Sequence, residues 1–81
     1  MKLSKRAREL LLLVDKRTDR DWDTGEVKYY YVPAAGDGVS GSGDARCLKS
    51  LEAKGLIEPM KVASYSYAVT EEGRLEAQSI G

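Results

Sequence analysis

Several residue types that build functional sites are scarce in this chain. Its 81 residues include no histidine, no phenylalanine and a single cysteine, Cys47. One thiol and no imidazole exclude an internal disulfide and a Cys/His zinc site within one chain. The longest apolar run, residues 10–14, falls far short of the roughly 20 residues that span a bilayer. No apolar stretch of secretory length follows the basic N-terminus, so we expect a cytoplasmic protein without a membrane partner.

Charge is balanced overall but not along the chain. Thirteen basic and thirteen acidic side chains give a net charge of zero, which argues against bulk electrostatic attraction to nucleic acid. Residues 1–20, however, hold seven basic and three acidic groups. Any nucleic-acid surface must therefore be local. The length and the 42% hydrophobic content are those of one globular domain over residues 1–81, with a single core.

Helical periodicity predicts a first helix over about residues 5–17. Ser4 precedes it, and a serine hydroxyl can accept a hydrogen bond from a free backbone N–H of the first turn. Apolar side chains recur at helical spacing and form the predicted core face, namely Leu3, Ala7, Leu10 and Val14, flanked by Leu11 and Leu13. Leu12 points to the opposite side, so we expect this face to be where a second copy packs in a homodimer.

A second helix is predicted over about residues 44–54, capped by Asp44 or Ser42 and ended by Gly55. Leu48 and Leu51 face the core on a helical wheel. The outward side chains make a small, basic surface, and they are Arg46, Lys49, Ser50 and Ala53.

The rest of the chain shows strand and turn signals. Residues 26–32 are rich in tyrosine and valine and predict a strand that ends at Pro33. Residues 36–43 contain four glycines and two serines, which predicts a flexible loop. Residues 56–62 and 65–69 predict a hairpin, and Thr70 can cap a last helix. Together these elements indicate an α+β fold.

Residues 36–41 match the pattern G-x-G-x-x-G that binds dinucleotides. That chemistry needs a complete βαβ unit with the glycines opening the helix, and a phosphate loop needs a G-K-[ST] lysine. Neither is present, so we expect no cofactor and no small-molecule substrate.

Residues 19–25 resemble the start of a calcium loop. Thr24 stands where an EF-hand needs its glycine, and Tyr30 stands where it needs the bidentate glutamate. A solvated turn is the better interpretation, and no metal site is expected.

Nucleophilic catalysis is not expected either. Cys47 has no histidine to activate it, and on a helix flank it fits a packing role better than a redox role near Arg46. Serine and threonine likewise lack a suitable base. Tyr29 and Tyr31 share one face of the predicted strand, so we expect this pair to fill the core rather than to stack on bases. The sequence gives no indication of an enzyme.

Two segments of the chain resemble a winged helix-turn-helix domain. They are residues 47–58 (CLKSLEAKGLIE) and residues 67–74 (YAVTEEGR). MarR-like and PadR-like repressors carry a similar L-x-x-L-x-x-x-G-L-I segment at the end of the recognition helix and a similar Y-x-L-T-x-x-G-R where the wing closes. The resemblance covers about residues 40–77 and weakly the first helix.

The resemblance implies a fold of three helices with a small antiparallel wing sheet, and a function in sequence-specific binding of double-stranded DNA and transcription regulation. Residues 44–54 would enter the major groove and residues 57–69 would touch the backbone. By position, the implied DNA-contacting residues are Ser42, Ala45, Arg46, Lys49 and Ser50 on the helix and Lys61 and Ser64 on the wing.

The chain departs from these families in two places. The helix that normally precedes the recognition helix would lie around residues 25–38, where this sequence has its tyrosine strand and glycine loop. Asp44 occupies a position that is usually apolar or small, and a carboxylate facing DNA would repel phosphate. The alternative function is a winged helix that binds proteins through the wing, Tyr30 or Leu12, which the zero net charge favours.

Overall fold

A computed structural model describes residues 3–32, 41–60 and 66–80, and for Gly41 and Ser42 it describes the backbone only. The described residues form three helices and two antiparallel two-stranded sheets. In chain order the elements are α1 (Lys5–Arg17), β1 (Asp19–Arg20), β2 (Val27–Tyr29), α2 (Gly41–Ala53), β3 (Ile57–Pro59), β4 (Tyr67–Val69) and α3 (Glu71–Ile80). The predicted α+β class is confirmed.

Helix α1 begins and ends where the sequence predicted. The Ser4 hydroxyl accepts a hydrogen bond from the Ala7 backbone N–H at 3.2 Å, which confirms the N-cap. The buried side chains of this helix are Ala7, Leu10, Leu11 and Val14. Leu12 lies on the exposed side, as the helical wheel indicated.

One hydrophobic core joins the helices to the sheet of β3 and β4. Its members come from all three helices, from β3 and β4, and from the segments beside them. They include Leu10, Leu11, Val14, Tyr31, Leu48, Leu51, Leu56, Ile57, Tyr67, Val69 and Ala77. Helix α1 packs against α2, α3 and β4, so it lies at the centre of the domain.

Strands β1 and β2 form a hairpin whose first strand the sequence did not indicate. The Asp21 carboxylate accepts hydrogen bonds from the backbone N–H groups of Asp23 and Thr24, and Gly25 adopts a φ of +81°. Residues 21–25 are thus the expected turn, closed by the Asp21 side chain and by the Gly25 N–H, which donates to the Asp21 carbonyl at 2.6 Å, whereas residues 19 and 20 of the predicted turn form β1. β1 is only two polar residues long, too short to show a strand pattern.

The prediction that Tyr29 and Tyr31 fill the core together is wrong for Tyr29. Tyr31 is 1% exposed, whereas Tyr29 is 68% exposed. The extended segment changes partner between them, because Tyr29 pairs with Asp19 of β1 while Tyr31 bridges to Tyr67 of the other sheet. A change of partner breaks the two-residue alternation on which the prediction depended.

Helix α2 begins at Gly41, three residues before the predicted start. Gly41–Gly43 are therefore helical and not part of the predicted loop, whose residues 36–40 lie outside the described chain. Asp44 is in the first helical turn and not at the cap, so that assignment is wrong. A side-chain contact from α1 holds this turn and overrides the weak helix propensity of its glycines.

The predicted hairpin after α2 is present, with shorter strands. Ile57 pairs with Val69 and Pro59 with Tyr67. Thr70 caps α3 as predicted, since its hydroxyl accepts from the Gly73 N–H at 3.1 Å. A Cβ at Gly73 would lie 1.8 Å from the Leu56 carbonyl oxygen, so α3 approaches the backbone as closely as only glycine allows.

The second edge of β4 is closed by one backbone bridge and two side chains. Tyr67 and Tyr31 exchange both N–H···O hydrogen bonds at 2.8 Å. Two residues on, the Val69 N–H donates to Thr18 Oγ1 at 3.1 Å, and the Val69 carbonyl accepts from Arg20 Nη1 at 2.8 Å. The outward backbone groups of Tyr67 and Val69 therefore all have partners.

Candidate nucleic-acid interface

The inner face of α2 fixes which residues the helix presents to solvent. Leu48 and Leu51 are buried in the core, as predicted. The helix ends in a Schellman motif, in which Gly55 N–H donates to the Glu52 carbonyl and Leu56 N–H to the Leu51 carbonyl, both at 3.0 Å. Gly55 has a φ of +77°, which confirms it as the left-handed stop. The rotation of α2 about its axis is thus set at the core and at its C-terminal end.

The outer face of α2 carries two cations and one carboxylate, Glu52, among small side chains. Ala45, Arg46, Lys49 and Ser50 are all exposed, and so is Ala53, which confirms the predicted outward orientation. Arg46 and Lys49 are three residues apart and therefore neighbours on the helix surface. Within the described chain neither forms an ion pair or hydrogen bond. This face is a narrow ridge from which two cationic groups project.

Asp44 is turned away from that ridge and held by α1. Arg6 Nε donates to Asp44 Oδ1 and Arg6 Nη2 to Asp44 Oδ2, each at 2.8 Å. The Asp44 side chain is 14% exposed and that of Arg6 is 41% exposed. The hydrogen bonds to Asp44 raise the pKa of Arg6 above its ordinary value, so the guanidinium keeps its charge at physiological pH. The carboxylate is therefore charge-compensated where the sequence suggested repulsion of phosphate.

The predicted wing is described at its base only. Met60 N–H donates to the Ser66 carbonyl at 2.9 Å, and the buried Ser66 hydroxyl donates to the Met60 carbonyl at 3.2 Å. Lys61 and Ser64, the predicted wing contacts, lie outside the described residues. Ser42 lies in the first turn of α2, and its side chain is outside the description as well.

A β-hairpin occupies part of the interval where winged-helix families have the helix before the recognition helix. Residues 25–32 contain β2 and no helix, while residues 33–38 are outside the described chain. Arg20 joins this hairpin to the sheet of β3 and β4 through an ion pair with Glu58 and a hydrogen bond to the Val69 carbonyl. The guanidinium groups of Arg20 and Arg74 lie 5.6 and 4.9 Å from the centroid of the Trp22 ring.

Sequence reasoning missed the roles of Arg6 and Arg20. Each pairs with a carboxylate 38 residues away, and no local spacing in a single sequence reports a contact at that separation. The local feature that could have indicated a role for Arg20 was Trp22, an isolated aromatic side chain in the acidic turn that follows Arg20.

Comparisons with protein-family models, with curated proteins and with solved structures found no match for this chain. The described residues define a small α+β domain with three helices and two antiparallel sheets, an arrangement compatible with a winged helix. None of the described helices has both the length and the apolarity that crossing a bilayer requires.

Proposed function

We propose that this chain is a cytoplasmic winged-helix domain that binds double-stranded DNA sequence-specifically and regulates transcription. Helix α2 would lie in the major groove, and the hairpin of β3 and β4 would contact the adjacent backbone. The observation that carries the proposal is the exposed pair Arg46 and Lys49 on a helix face that they share with the small side chains of Ala45, Ser50 and Ala53 and with one exposed carboxylate, Glu52. The major groove is wide enough for a helix, and small flanking side chains let cations reach base edges and phosphates.

The order of elements supports this assignment. A helix, an extended segment, a second helix and a hairpin follow one another, and Tyr31 pairs with Tyr67 beside that hairpin. The bridge places a third extended segment against the wing sheet, as a winged helix requires. Neutralisation of Asp44 by Arg6 removes the electrostatic objection that the sequence raised against DNA at this helix.

Each predicted contact has a distinct role in the proposed complex. The Arg46 guanidinium can donate to guanine O6 and N7 together, which is worth about 1–3 kcal/mol of discrimination against other bases. Lys49 neutralises a backbone phosphate. Ala45 and Ser50 are exposed on α2 and would face the groove, and the resemblance adds Ser42, Lys61 and Ser64 as further proposed contacts.

The test is binding to labelled duplexes, first random and then selected from a random pool, at several salt concentrations. We expect the affinity to fall steeply with salt and Arg46→Ala to lose preference for the selected sequence. Lys49→Ala should weaken binding to all duplexes and reduce the salt slope by about one unit. Lys28→Ala, which removes an exposed lysine of β2, is the matched control and should leave affinity unchanged. Binding independent of salt would refute the proposal.

The alternative proposal is a winged helix that binds another protein. The exposed apolar side chains favour it, since Tyr29 is 68% and Leu75 is 59% exposed on a chain of zero net charge. Tyr30 is half-buried and Leu12 is 36% exposed. If wild-type protein binds no duplex even at low salt, this alternative replaces the DNA proposal.

We also propose that the protein forms a homodimer through the exposed side of α1 around Leu12. Arg8 and Lys16 lie one turn before and one turn after Leu12, and both are exposed and basic. In a dimer these cations of the two copies would repel each other, and apolar contact around Leu12 must offset that repulsion. Sedimentation equilibrium of Leu12→Lys against wild type tests the interface. The substitution should produce a monomer, and a wild-type protein that is already monomeric would exclude the dimer.

A further inference from the structure

A cavity of about 350 Å³ lies between the N-terminal end of α1 and the flank of α2. No sequence pattern indicates such a space, because its two walls are about 40 residues apart. Leu3, Ala7 and Cys47 form its apolar part, and Ser4, Arg46, Ser50 and Lys54 its polar part. A volume of this size is within the range of small-ligand sites in proteins.

The polar wall of the cavity follows one stripe of the chain. Arg46, Ser50 and Lys54 are spaced four residues apart, and they face the same opening. Lys54 Nζ donates to Ser50 Oγ at 2.8 Å, so this cation is already held at the wall. Arg46 forms no ion pair with any described residue. The described lining residues include two cations and no carboxylate, so the cavity favours an anion.

The opposite wall of the cavity determines which uncharged part of the ligand can pack there. Leu3 and Ala7 are aliphatic, and among the residues that the structure describes no aromatic side chain lines the cavity to stack on a flat ring. A ligand that places one anionic group between Arg46 and Lys54 would lay its remaining atoms on this aliphatic surface. Two charge-assisted contacts would hold the head group, and burial of the chain would add the rest.

We propose that this cavity binds a small aliphatic monocarboxylate, with the carboxylate between Arg46 and Lys54 and the alkyl chain against Leu3 and Ala7. The regulatory part of this inference rests on the proposed function, because Arg46 is also the proposed base-contacting residue. One guanidinium cannot serve both partners at once. A bound carboxylate would therefore compete directly with DNA, which gives an 81-residue chain an effector response without a separate sensing domain.

The experiment is a titration of the free protein, without DNA, followed through backbone amide chemical shifts. Hexanoate is the probe, with hexanol, hexylamine and inorganic phosphate as the matched compounds. We expect saturable shifts with hexanoate at residues 3–7 and 46–54, and weaker binding of the other three by at least tenfold. Equal binding of phosphate would show that the apolar wall contributes nothing and would overturn the proposal.

Variants separate the cavity from general charge effects. Arg46→Ala and Lys54→Ala should each weaken hexanoate binding at least fivefold, whereas Lys49→Ala, an exposed cation outside the lining, should not change it. Ser50→Phe, at an exposed position, should fill the cavity and abolish binding without altering the thermal midpoint of unfolding. Unchanged hexanoate binding in Ser50→Phe would overturn the proposal.

Competition with DNA is measured separately, so the two proposals can fail independently. If duplex binds, hexanoate should release it from the wild type and release Lys54→Ala only at a higher concentration. If duplex does not bind but hexanoate does, the cavity assignment stands and the DNA proposal falls. If duplex binds and hexanoate does not, the cavity assignment falls alone.

Discussion

Arg6 and Asp44 tie α1 to the first turn of α2 through two parallel hydrogen bonds, Nε to Oδ1 and Nη2 to Oδ2, each 2.8 Å long. This fork-to-fork geometry fixes direction as well as distance. It joins the central helix of the core to the start of the proposed recognition helix, and it draws the one carboxylate of that turn away from the outer face. The pair therefore has a structural and an electrostatic consequence, which can be measured separately.

Arg6→Ala is expected to lower both the stability of the domain and its affinity for duplex DNA. The substitution leaves the Asp44 carboxylate without this partner near the proposed phosphate path, so part of the affinity loss should be electrostatic. Adding Asp44→Asn to Arg6→Ala should restore most of the affinity without restoring the stability. Duplex titrations and urea unfolding of the single and double variants measure the two effects.

The matched control for this prediction is Arg8→Ala, which removes an exposed arginine of the same helix. It should leave stability nearly unchanged. An equal loss of affinity in Arg8→Ala and Arg6→Ala would show that only net charge matters and that the pair with Asp44 has no specific role.

Gly73→Ala should destabilise the domain by about 3 kcal/mol or more. The added methyl group would meet the Leu56 carbonyl oxygen at 1.8 Å and a Val69 methyl at 2.7 Å, so α3 would have to move off the sheet. Gly43→Ala is the contrasting substitution, because a Cβ there meets nothing within 4 Å. It should raise stability by up to about 1 kcal/mol through helix propensity. Chemical unfolding of both variants checks the prediction, and a tolerated Gly73→Ala would contradict the close approach.

Thr18→Val should cost about 1–3 kcal/mol of stability, although it preserves the shape of the side chain. The Thr18 hydroxyl donates to the Val14 carbonyl at 2.7 Å and accepts from the Val69 N–H at 3.1 Å. Without it, a backbone N–H of a fully buried strand loses its partner. Thr18→Ser keeps the hydroxyl and should lose much less. Hydrogen exchange at the Val69 amide should accelerate in Thr18→Val, and unchanged protection there would argue against this bond.

Asp15→Asn should stabilise the protein at neutral pH. Burial raises the pKa of Asp15 above its ordinary value of 3.8, and the nearby charge of Arg74 only partly offsets this. A raised carboxyl pKa means that the folded state holds its proton more tightly than the unfolded state, so stability falls as pH rises through that pKa. The gain in Asp15→Asn should therefore disappear as pH falls towards 3.8. Urea unfolding of both proteins from acidic to neutral pH measures it, and a difference that is constant with pH would rule out this origin.

Local signals were enough to predict the three helices, both ends of α1, the end of α2 and the start of α3. Ser4, Gly55 and Thr70 act through neighbours in sequence, and each has the predicted role. The apolar spacing of α1 and the Leu48 and Leu51 pair likewise indicated which faces are buried. These features depend on periods of three to five residues, which one sequence displays directly.

Features that depend on distant contacts were not predictable in this way. Helix α2 begins at Gly41 and not at residue 44, and its first turn is in contact with Arg6 of another helix, which no local spacing reports. Tyr29 is exposed because the extended segment changes its strand partner after this residue. The alternation of side chains along one segment does not indicate which strand that segment pairs with. For the candidate site, the outward direction of Arg46 and Lys49 followed from the helical wheel, whereas the cavity beside them needed the packing of α1 on α2.

The partners of the outward backbone groups of β4 also affect whether another chain can add a strand to this edge at high protein concentration. A strand with unsatisfied N–H and carbonyl groups along one side is a template on which another chain can extend the sheet. At Tyr67 and Val69 those groups are already occupied, by Tyr31 and by the side chains of Thr18 and Arg20. Strand addition by another chain is therefore blocked along this margin of β4.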